Sequence, residues 1–394
     1  MKGPLDGIRI IDLTAMASGP LATAILGDQG AEVIKVEIPG RGDGMRRIGP
    51  NRGGLAAVFA NLNRNKRSIA LDLSDRRGLE VLERLLDDAD VLIQNFRPGV
   101  ADRMGIGADR IRASRPDLVY VSISGFGERG PLREDPVYDS VMQAYSGFAA
   151  YQADPRTGEP SFVRHIVCDK GTAMQTAQLV TSALLARERG AGGQHLRISM
   201  LHASIALLWP DALQNHTFLG EGVEGRMGAA ALPPIRATRD GFITITFIQD
   251  HEFQAFCRAI ERPELAEDPR FAEAGPRARD AASLQDTLDP TLRSFTTEEL
   301  VARLREAGVP HAVLRDPAEL HLDPQVIAND LLMEVEHPHA GLMRQPRPVG
   351  DFESTPTSVR RLAPLLGEHG EEIVREAGYS AREIAALREA GILG

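Results

Sequence analysis

The stretch that decides the fold is IRIIDLTAMASGP, residues 8–20 of a chain of 394 residues. Residues 8–13 are apolar and largely β-branched, a pattern typical of a short buried strand. Pro20 stands where the first turn of a helix favours proline, and a mostly apolar run continues from it to Gly27. The stretch therefore predicts a strand, a loop and a helix in direct succession.

The same alternation continues through the first half of the chain. Further strands are predicted at residues 32–37, 68–73, 91–93, 118–123 and 194–200. Helices are predicted after Ser74, a suitable N-cap, and over residues 170–189 and 201–215. Strands that alternate with helices predict an α/β fold with a mostly parallel sheet.

A second block follows a Gly-, Ala- and Pro-rich linker at residues 220–234. Strands are predicted at 241–247 and 309–313 and helices at 251–261 and 282–292, and Thr296 and Glu299 form a capping box. We therefore expect a large domain over residues 1–219, a linker and small α+β domain over 220–324, and a segment over 325–394 that returns to the large domain. That last segment carries a predicted strand at 331–336 and a predicted helix at 380–390.

Composition excludes several classes of protein. The 45 basic and 55 acidic residues give a formal charge of −10, which argues against nucleic acid as the main partner. Two cysteines cannot build a disulfide framework, which favours a cytoplasmic location. No apolar run is long enough for a membrane helix, no secretory leader is visible, and no metal-ligating or P-loop motif occurs.

The loop at residues 14–19 lies where a dinucleotide-binding protein carries GxGxxG, but that motif is absent. Glu37 does end the second predicted strand, where such a protein holds the ribose. A nicotinamide oxidoreductase therefore remains one alternative, and a non-catalytic binding protein is another.

Lys66 and Arg67 come just before the strand predicted at residues 68–73, and Arg97 and Arg103 follow the strand predicted at 91–93, at the carboxyl edge where open α/β sheets usually bind ligands. Lys66, Arg67, Arg97 and Arg103 are candidates for a phosphate-binding collar. Phe96 and Met104 are candidates to pack on an aromatic base. The alternative is solvated surface charge beside a Pro-Gly turn.

Asp169 precedes the long helix predicted at residues 170–189 and sits at an N-cap position. A helix N-terminus stabilises a carboxylate, so Asp169 is also a candidate nucleophile, with Gly171 or nearby N–H groups holding an oxyanion. Cys168 is a rival nucleophile, with His165 as the nearest partner.

Several segments, taken in order, resemble one family. They are LDGIRIID (5–12), LGDQGAEVIKVE (26–37), NKRS (65–68), NFRPG (95–99), RMG (103–105), SGFG (124–127) and APLLGEH (363–369). Together they resemble the family III CoA-transferases, a group that includes formyl-CoA transferases, carnitine CoA-transferases and 2-methylacyl-CoA racemases.

The resemblance implies a Rossmann-like large domain, a small domain and a homodimer whose chains interlock. It implies that Asp169 is the nucleophile in CoA transfer from an acyl-CoA to a small carboxylic acid, through an aspartyl anhydride and an aspartyl-CoA thioester. CoA then enters as substrate and no cofactor is bound permanently. The expected CoA contacts, including those of the collar, are Met16, Lys66, Leu71, Asp72, Leu73, Asn95, Phe96, Arg97, Arg103, Met104 and Tyr138.

The chain departs from parts of this family. Racemases carry a histidine where this chain has Tyr138, so α-proton chemistry, the alternative within the family, would need Asp139 or His165 as second base. Formyl-CoA transferases carry a CoA-binding arginine where this chain has Ile38, so either Arg41 or Arg46 substitutes for it or the contact is lost. The acid substrate is not readable from the sequence, although Arg164, His165 and Arg226 are candidate carboxylate contacts.

Overall fold

The structure is a computed structural model that describes residues 2–154, 157–223 and 234–394. The chain divides into two compact units, of which the first comprises Met1–Leu213 and Asp330–Gly394 and the second is Gln214–Asn329. The sequence placed these boundaries after residues 219 and 324. Most of the expected linker, residues 224–233, lies outside the described residues.

A six-stranded parallel sheet forms the centre of the first unit. Its strands are β1 (Arg9–Asp12), β2 (Glu32–Glu37), β5 (Lys66–Ala70), β6 (Val91–Gln94), β7 (Val119–Ser124) and β8 (His195–Ser199), whereas β3 (Asn51–Arg52) pairs separately with β4 (Leu55–Ala56). The order across the sheet is β5-β2-β1-β6-β7-β8. Numbered by their order along the chain, these strands run 3-2-1-4-5-6, the Rossmann order. The prediction of a parallel α/β sheet is confirmed.

Helices cover both faces of this sheet. Those that precede residue 214 are α1 (Ser18–Asp28), α2 (Ala57–Leu62), α3 (Arg76–Asp87), α4 (Val100–Arg103), α5 (Ala108–Ser114), α6 (Asp139–Ser146), α7 (Phe148–Tyr151), α8 (Val167–Ala186) and α9 (Met200–Leu208). Leu26 of α1 and Val180 of α8 are buried against one face, and Val81 of α3 and Ile111 of α5 against the other. β6 is mostly apolar and fully buried because helices cover both faces of the sheet there, whereas β2 and β5 also carry the buried charges Lys35, Lys66 and Arg67.

Predicted boundaries were wrong at four elements. α8 begins at Val167 rather than at residue 170. α9 ends at Leu208 rather than at residue 215, shortly before Pro210, which cannot continue a helix. β5 covers Lys66–Ala70 rather than 68–73, and Asp75 rather than Ser74 caps α3, since its carboxylate accepts the Arg77 N–H at 2.8 Å.

The second unit is a small α+β body. Strands β9 (Ile235–Ala237), β10 (Phe242–Ile245) and β11 (His311–Val313) form an antiparallel sheet in the order β11-β10-β9. Its helices are α10 (Asp250–Ala259), α11 (Ala274–Arg279), α12 (Ala281–Leu292), α13 (Thr297–Glu306) and α14 (Pro324–Ala328). Phe253, Phe256 and Phe271 are fully buried in its core. The capping box of Thr296 and Glu299 at the start of α13 is confirmed.

The C-terminal segment packs against the edge of the parallel sheet. It contains the hairpin β12 (Leu332–His337) and β13 (Gly341–Pro346), then α15 (Gly370–Glu376) and α16 (Ala381–Glu389). The Gly394 N–H donates to the Ala70 carbonyl at 3.0 Å, and Leu393 pairs with Leu71. Within the described ranges, no helix combines the length and apolar character that crossing a membrane requires.

Candidate active site

The largest described cavity opens where the winding of the sheet reverses, between the carboxyl ends of β1 and β6. The chain leaves these two neighbouring parallel strands towards opposite faces of the sheet, which opens a crevice between them. Such a crevice is the usual ligand site of open parallel sheets. The cavity has a volume of about 620 Å³. Its lining includes Met16 and Ser18 after β1, Asn95 and Phe96 after β6, and Asp169 of α8.

Asp169 lies in the first turn of α8, where Ile166 is the N-cap. The predicted N-cap role of Asp169 was therefore wrong, because the helix begins two residues earlier, at Val167. The side chain of Asp169 is half-buried in the cavity and forms no ion pair within the described part of the chain. Its carboxylate is thus available for chemistry rather than committed to the helix end.

Burial raises the pKa of Asp169 to about 6, and the nearby negative charge of Asp139 adds to the effect. Hydrogen bonds from the hydroxyl and N–H of Ser18 act in the opposite direction. The carboxylate is therefore mostly ionised at neutral pH but poorly solvated, which is the state that favours a nucleophile.

Asp139, the first residue of α6, holds Asp169 in place. Its Oδ2 accepts the backbone N–H of Asp169 at 3.0 Å, and its Oδ1 accepts Nε2 of Gln143 at 2.6 Å. Gln143 also donates to the carbonyl groups of Val163 and His165, both at 3.1 Å, so it fixes the segment that leads into α8. The sequence analysis named Asp139 but missed Gln143, which lies one helical turn further along α6.

The loop after β6 and the loop after β1 are bonded to each other. Asn95 accepts the Ala15 N–H at 2.9 Å through Oδ1 and donates to the Ala15 carbonyl at 2.7 Å through Nδ2. The Phe96 N–H donates to Oε1 of Gln94 at 2.7 Å. Asn95 therefore both lines the cavity and orients its wall.

Six of the predicted site residues do come together around this cavity. They are Met16, Asn95, Phe96, Arg97, Tyr138 and Asp169. Arg103 lines a neighbouring polar cavity of about 390 Å³, which shares Phe96 and Arg97 with the first. Arg133 also lines both cavities and was missed by the sequence analysis.

Lys66 and Arg67 do not join a phosphate-binding collar in this structure. The Lys66 ammonium is fully buried and bonds to Asp12 Oδ2 at 3.0 Å, the Pro20 carbonyl at 2.8 Å and Asn63 Oδ1 at 2.9 Å, so its three donors are used. Arg67 is also buried, and its guanidinium pairs with Glu32, Glu372 and Glu376. Both cations hold protein segments together instead of facing the cavity.

Four other predicted contacts lie away from both cavities. Leu71 is buried beside Leu393, and the Asp72 carboxylate accepts the Ser74 N–H at 2.9 Å. Leu73 and Met104 are partly buried and pack against the core of the sheet. Their positions do not support direct contact with a ligand in either cavity.

Arg46 does not replace the contact expected at Ile38, because its guanidinium is already committed. It donates to Glu37 at 2.8 and 2.6 Å and to the Pro364 carbonyl at 3.0 Å, and it stacks on Phe59. The same bonds occupy Glu37, so the residue that would hold a ribose in a dinucleotide site is not free to do so. Arg41 is exposed, and a CoA contact by its side chain stays a prediction.

The rival chemistry around Asp169 loses support from its surroundings. Cys168 is fully buried, and burial raises the pKa of its thiol to about 11, so it is not a reactive thiolate. Gly171 is the fifth residue of α8, and the helical pattern directs its N–H to the Val167 carbonyl rather than to an oxyanion. His165 lines the cavity, Arg164 is exposed and does not line it, and Arg226 lies outside the described residues.

A model of CoA-transferase family III matches residues 5–370. The acetyl-CoA:oxalate CoA-transferase of Acetobacter aceti is 36% identical over 379 residues, which cover 95% of this chain and 96% of the relative. The chain belongs to CoA-transferase family III. Succinyl-CoA:glutarate CoA-transferase of Homo sapiens is 31% identical over 396 residues, covering 99% of this chain and 90% of the relative.

This family III CoA-transferase also matches solved structures over nearly its whole length. A crystal structure of a CAIB/BAIF family protein from Brucella suis is 30% identical, with a TM-score of 0.82. The match covers 96% of this chain and 100% of that one. The resemblance inferred from sequence segments is therefore confirmed, and the protein is a transferase that uses CoA thioesters.

Proposed function

We propose that this enzyme moves CoA from an acyl-CoA to a free carboxylic acid with Asp169 as the nucleophile. The observation that carries the proposal is the Asp169 carboxylate, which is ionised, poorly solvated and without an ion-pair partner in the described structure, at the wall of the main cavity. An acyl group attacked there exchanges one acyl bond for another of similar energy. Neither ATP nor a metal ion is needed to drive such an exchange.

The proposed reaction has four acyl transfers. Asp169 attacks the thioester carbonyl of the donor, forming a mixed anhydride and releasing the CoA thiolate. The thiolate then attacks the aspartyl carbonyl, which gives an aspartyl-CoA thioester and releases the donor acid. The acceptor carboxylate attacks this thioester, and the freed thiolate attacks the acceptor carbonyl of the new anhydride, which yields the new acyl-CoA and restores Asp169.

Other groups at the cavity can stabilise the negative charges that develop during these acyl transfers. Ser18, in the first turn of α1, lines the cavity together with Asp169, and its hydroxyl and N–H lower the pKa of that carboxyl. A helix N-terminus stabilises an anion, so we assign to it the oxyanions that form at the aspartyl carbonyl. Met16 and Phe96 offer apolar contact for the pantetheine arm, and Arg97 and Arg103 offer positive charge for the phosphates.

For the acid substrate we propose a small dicarboxylate. Relatives are named for transfer between succinyl-CoA and glutarate and between acetyl-CoA and oxalate. In this chain Arg97, Arg133 and His165 line the cavity and can meet a second carboxylate. A mass-spectrometric screen of succinyl-CoA and acetyl-CoA against a panel of free mono- and dicarboxylic acids tests this choice, and preference for monocarboxylic acids would contradict it.

Racemase-type chemistry is less well supported because it needs a second base near Asp169. Both carboxylate oxygens of Asp139 accept hydrogen bonds inside the protein. The other expected base, His165, also lines the cavity. Its imidazole ring is not held in the same way, because Gln143 bonds to the backbone carbonyl of His165 and not to its ring.

The nucleophile is tested by trapping the covalent intermediate. The protein is mixed with succinyl-CoA or acetyl-CoA without acceptor acid and treated with hydroxylamine, and peptides are analysed by mass spectrometry. We expect a hydroxamate at Asp169, and Asp169→Ala should abolish it while lowering kcat by a factor of at least about 1,000.

The adjacent residue provides the matched control. Cys168→Ala should retain transfer and the hydroxamate at Asp169, because the buried thiol takes no part in the reaction. Full activity of Asp169→Ala, or an adduct elsewhere in the wild-type protein, would overturn the assignment of the nucleophile.

A further inference from the structure

The loop between β1 and α1 is held at almost every peptide group. The Thr14 carbonyl accepts Nζ of Lys35 at 2.8 Å, and the Met16 N–H donates to Oδ1 of Asp43 at 3.0 Å. Between these two, Asn95 bonds to both the N–H and the carbonyl of Ala15. A loop of this kind has little freedom to move away from the cavity that it lines.

Met16 occupies a backbone conformation that needs such support. Its φ angle is 69°, in the left-handed region where a residue with a side chain is strained. Strain of this kind persists only where surrounding contacts hold the backbone in place. The N–H of Met16 is held by Asp43, and the carbonyl of Thr14, two residues earlier, is held by Lys35.

Asp43 and Lys35 are themselves buried and paired. Their charged atoms lie 3.0 Å apart, and neither side chain is exposed to solvent. Asp43 also accepts the Met45 N–H at 3.0 Å, which fixes its carboxylate at the start of a short 3-10 turn. Neither residue lines either cavity, so neither contacts a ligand there directly.

The loop leads directly into the first turn of α1, where Ser18 lines the same cavity as Asp169. We propose that Asp43 and Lys35 are positioning residues that hold Met16 in its left-handed conformation and thereby place Ser18 against the Asp169 carboxylate. The inference rests on the proposed function of Asp169. It adds two residues, far apart in sequence from the nucleophile, to the groups on which turnover depends.

The test compares glycine with alanine at position 16, with and without the Asp43 carboxylate. Glycine and alanine both remove the methionine side chain, but only glycine adopts a positive φ without strain. With Asp43 intact, Met16→Gly and Met16→Ala should therefore have similar kcat values. With Asp43→Asn, the glycine variant should be faster than the alanine variant by at least about threefold.

The rate measured is isotope exchange between the acyl-CoA and its own labelled acid, with succinyl-CoA or acetyl-CoA, whichever the wild-type protein exchanges faster. Asp43→Asn alone should lower kcat about tenfold. Its KM for the acyl-CoA should change less, because the side chain of Met16 is still present. If Asp43→Asn does not fold, Lys35→Gln is examined with the same pair of substitutions at Met16.

Asp28→Asn is the matched control for a loss of stability alone. Asp28 is also buried, and it pairs with Arg64 at 2.6 Å at the opposite end of α1. We expect it to lower Tm as Asp43→Asn does while leaving kcat within about twofold of wild type.

An equal loss of kcat in Asp28→Asn, or no difference between glycine and alanine at position 16 in the Asp43→Asn background, would overturn the proposal. Failure of the proposed function would look different. If Asp169 were not the nucleophile, no hydroxamate would form at Asp169 in the wild-type protein. The comparison of glycine with alanine at position 16 would still give a result, because it depends only on the measured exchange rate.

Discussion

The pKa of Asp169 sets the pH range in which we expect the enzyme to work. Burial and Asp139 raise this pKa to about 6, and only the ionised carboxylate can attack a thioester. We predict that kcat/KM for the acyl-CoA is constant above pH 7 and falls as the pH drops through 6. Between pH 7 and pH 5 the loss should be about tenfold, measured at acyl-CoA concentrations well below KM over a pH series.

Asp139→Asn provides the comparison for this profile. Removing the neighbouring negative charge should move the midpoint of the profile to lower pH. A midpoint that stays at 6 or rises in this variant, or a wild-type rate that is flat to pH 4.5, would contradict the assignment of the titration to Asp169.

The same raised pKa has a consequence for stability. A carboxyl group with a pKa higher in the folded than in the unfolded protein lowers stability as the pH rises from about 4 to 6, and the loss remains above 6. Asp169→Asn should therefore raise Tm at pH 7.5 relative to wild type and leave it nearly unchanged at pH 4. This comparison belongs to the same pH series.

Two of the four lysines show what sequence can and cannot assign at the scale of a residue. Both lie in segments of the family pattern, from which a phosphate contact is predicted for Lys66 and no role is predicted for Lys35. Both ammonium groups are instead fully buried beneath the loop after β1. Burial is a property of the folded chain, and no local pattern distinguishes the two roles.

At the scale of an element, α1 approaches the loop before it so closely that only glycine fits at position 19. A Cβ there would lie 2.4 Å from both Cβ and Cγ2 of Thr14. Gly19→Ala should therefore displace Thr14 or the first turn of α1, which carries Ser18. We predict a loss of about 1–3 kcal/mol in the free energy of unfolding together with a lower kcat.

Gly275→Ala in α11 is the control for a glycine within a helix. A Cβ at this position meets its nearest neighbour at 3.7 Å, an ordinary contact, and alanine favours a helix more than glycine does. Its kcat should be unchanged and its Tm equal or slightly higher. A Gly19→Ala protein with wild-type Tm and kcat would contradict the close approach of α1 to its loop.

Helices and strands could be predicted from the sequence where apolar residues are closely spaced. β1, β2, β6 and β7 are short apolar runs, and a strand buried on both faces needs such a run. The start of α8 was not predictable, because Val167 and Cys168 are apolar residues that fit the end of a strand as well as the first turn of a helix. Tertiary contacts decide between them, and here the Asp139 carboxylate accepts the Asp169 N–H in the first turn.

For the whole molecule, we propose the homodimer that the family resemblance implies. In the first unit, large apolar side chains of α8 and α9 and of the residue after α9 are exposed in the single chain, including Met174, Leu185, Leu207 and Trp209. Exposed apolar residues in such number favour association. We predict a particle of twice the chain mass of 42.8 kDa by sedimentation equilibrium at micromolar concentration.

A mass of 42.8 kDa at that concentration would contradict the homodimer. Leu185→Glu places a charge on the exposed side of α8 and should shift the equilibrium towards single chains. Gln178→Glu, another exposed position on the same helix, adds the same charge without removing an apolar group and serves as its control.

The sequence by itself determined the class of the fold and the family. Apolar runs that alternate with amphipathic segments leave few arrangements other than a parallel sheet covered on both faces, and the ordered segments from residue 5 to residue 369 are specific enough to name the family. Asn95, Phe96 and Arg97 were identified within those segments, and Asp169 was identified from its place before the long predicted helix together with the family resemblance.

Only the tertiary structure decided which polar residues face the cavity and which support it. Lys66 and Arg67 follow the family pattern as closely as Arg97 does, yet both bond to carboxylates within the protein. Asp43, Lys35 and Gln143 carry no sequence signal for a role at the site, because each acts on a segment distant along the chain. The partners of a buried charge are chosen by the packing of several segments at once, and the sequence pattern of one segment does not contain that information.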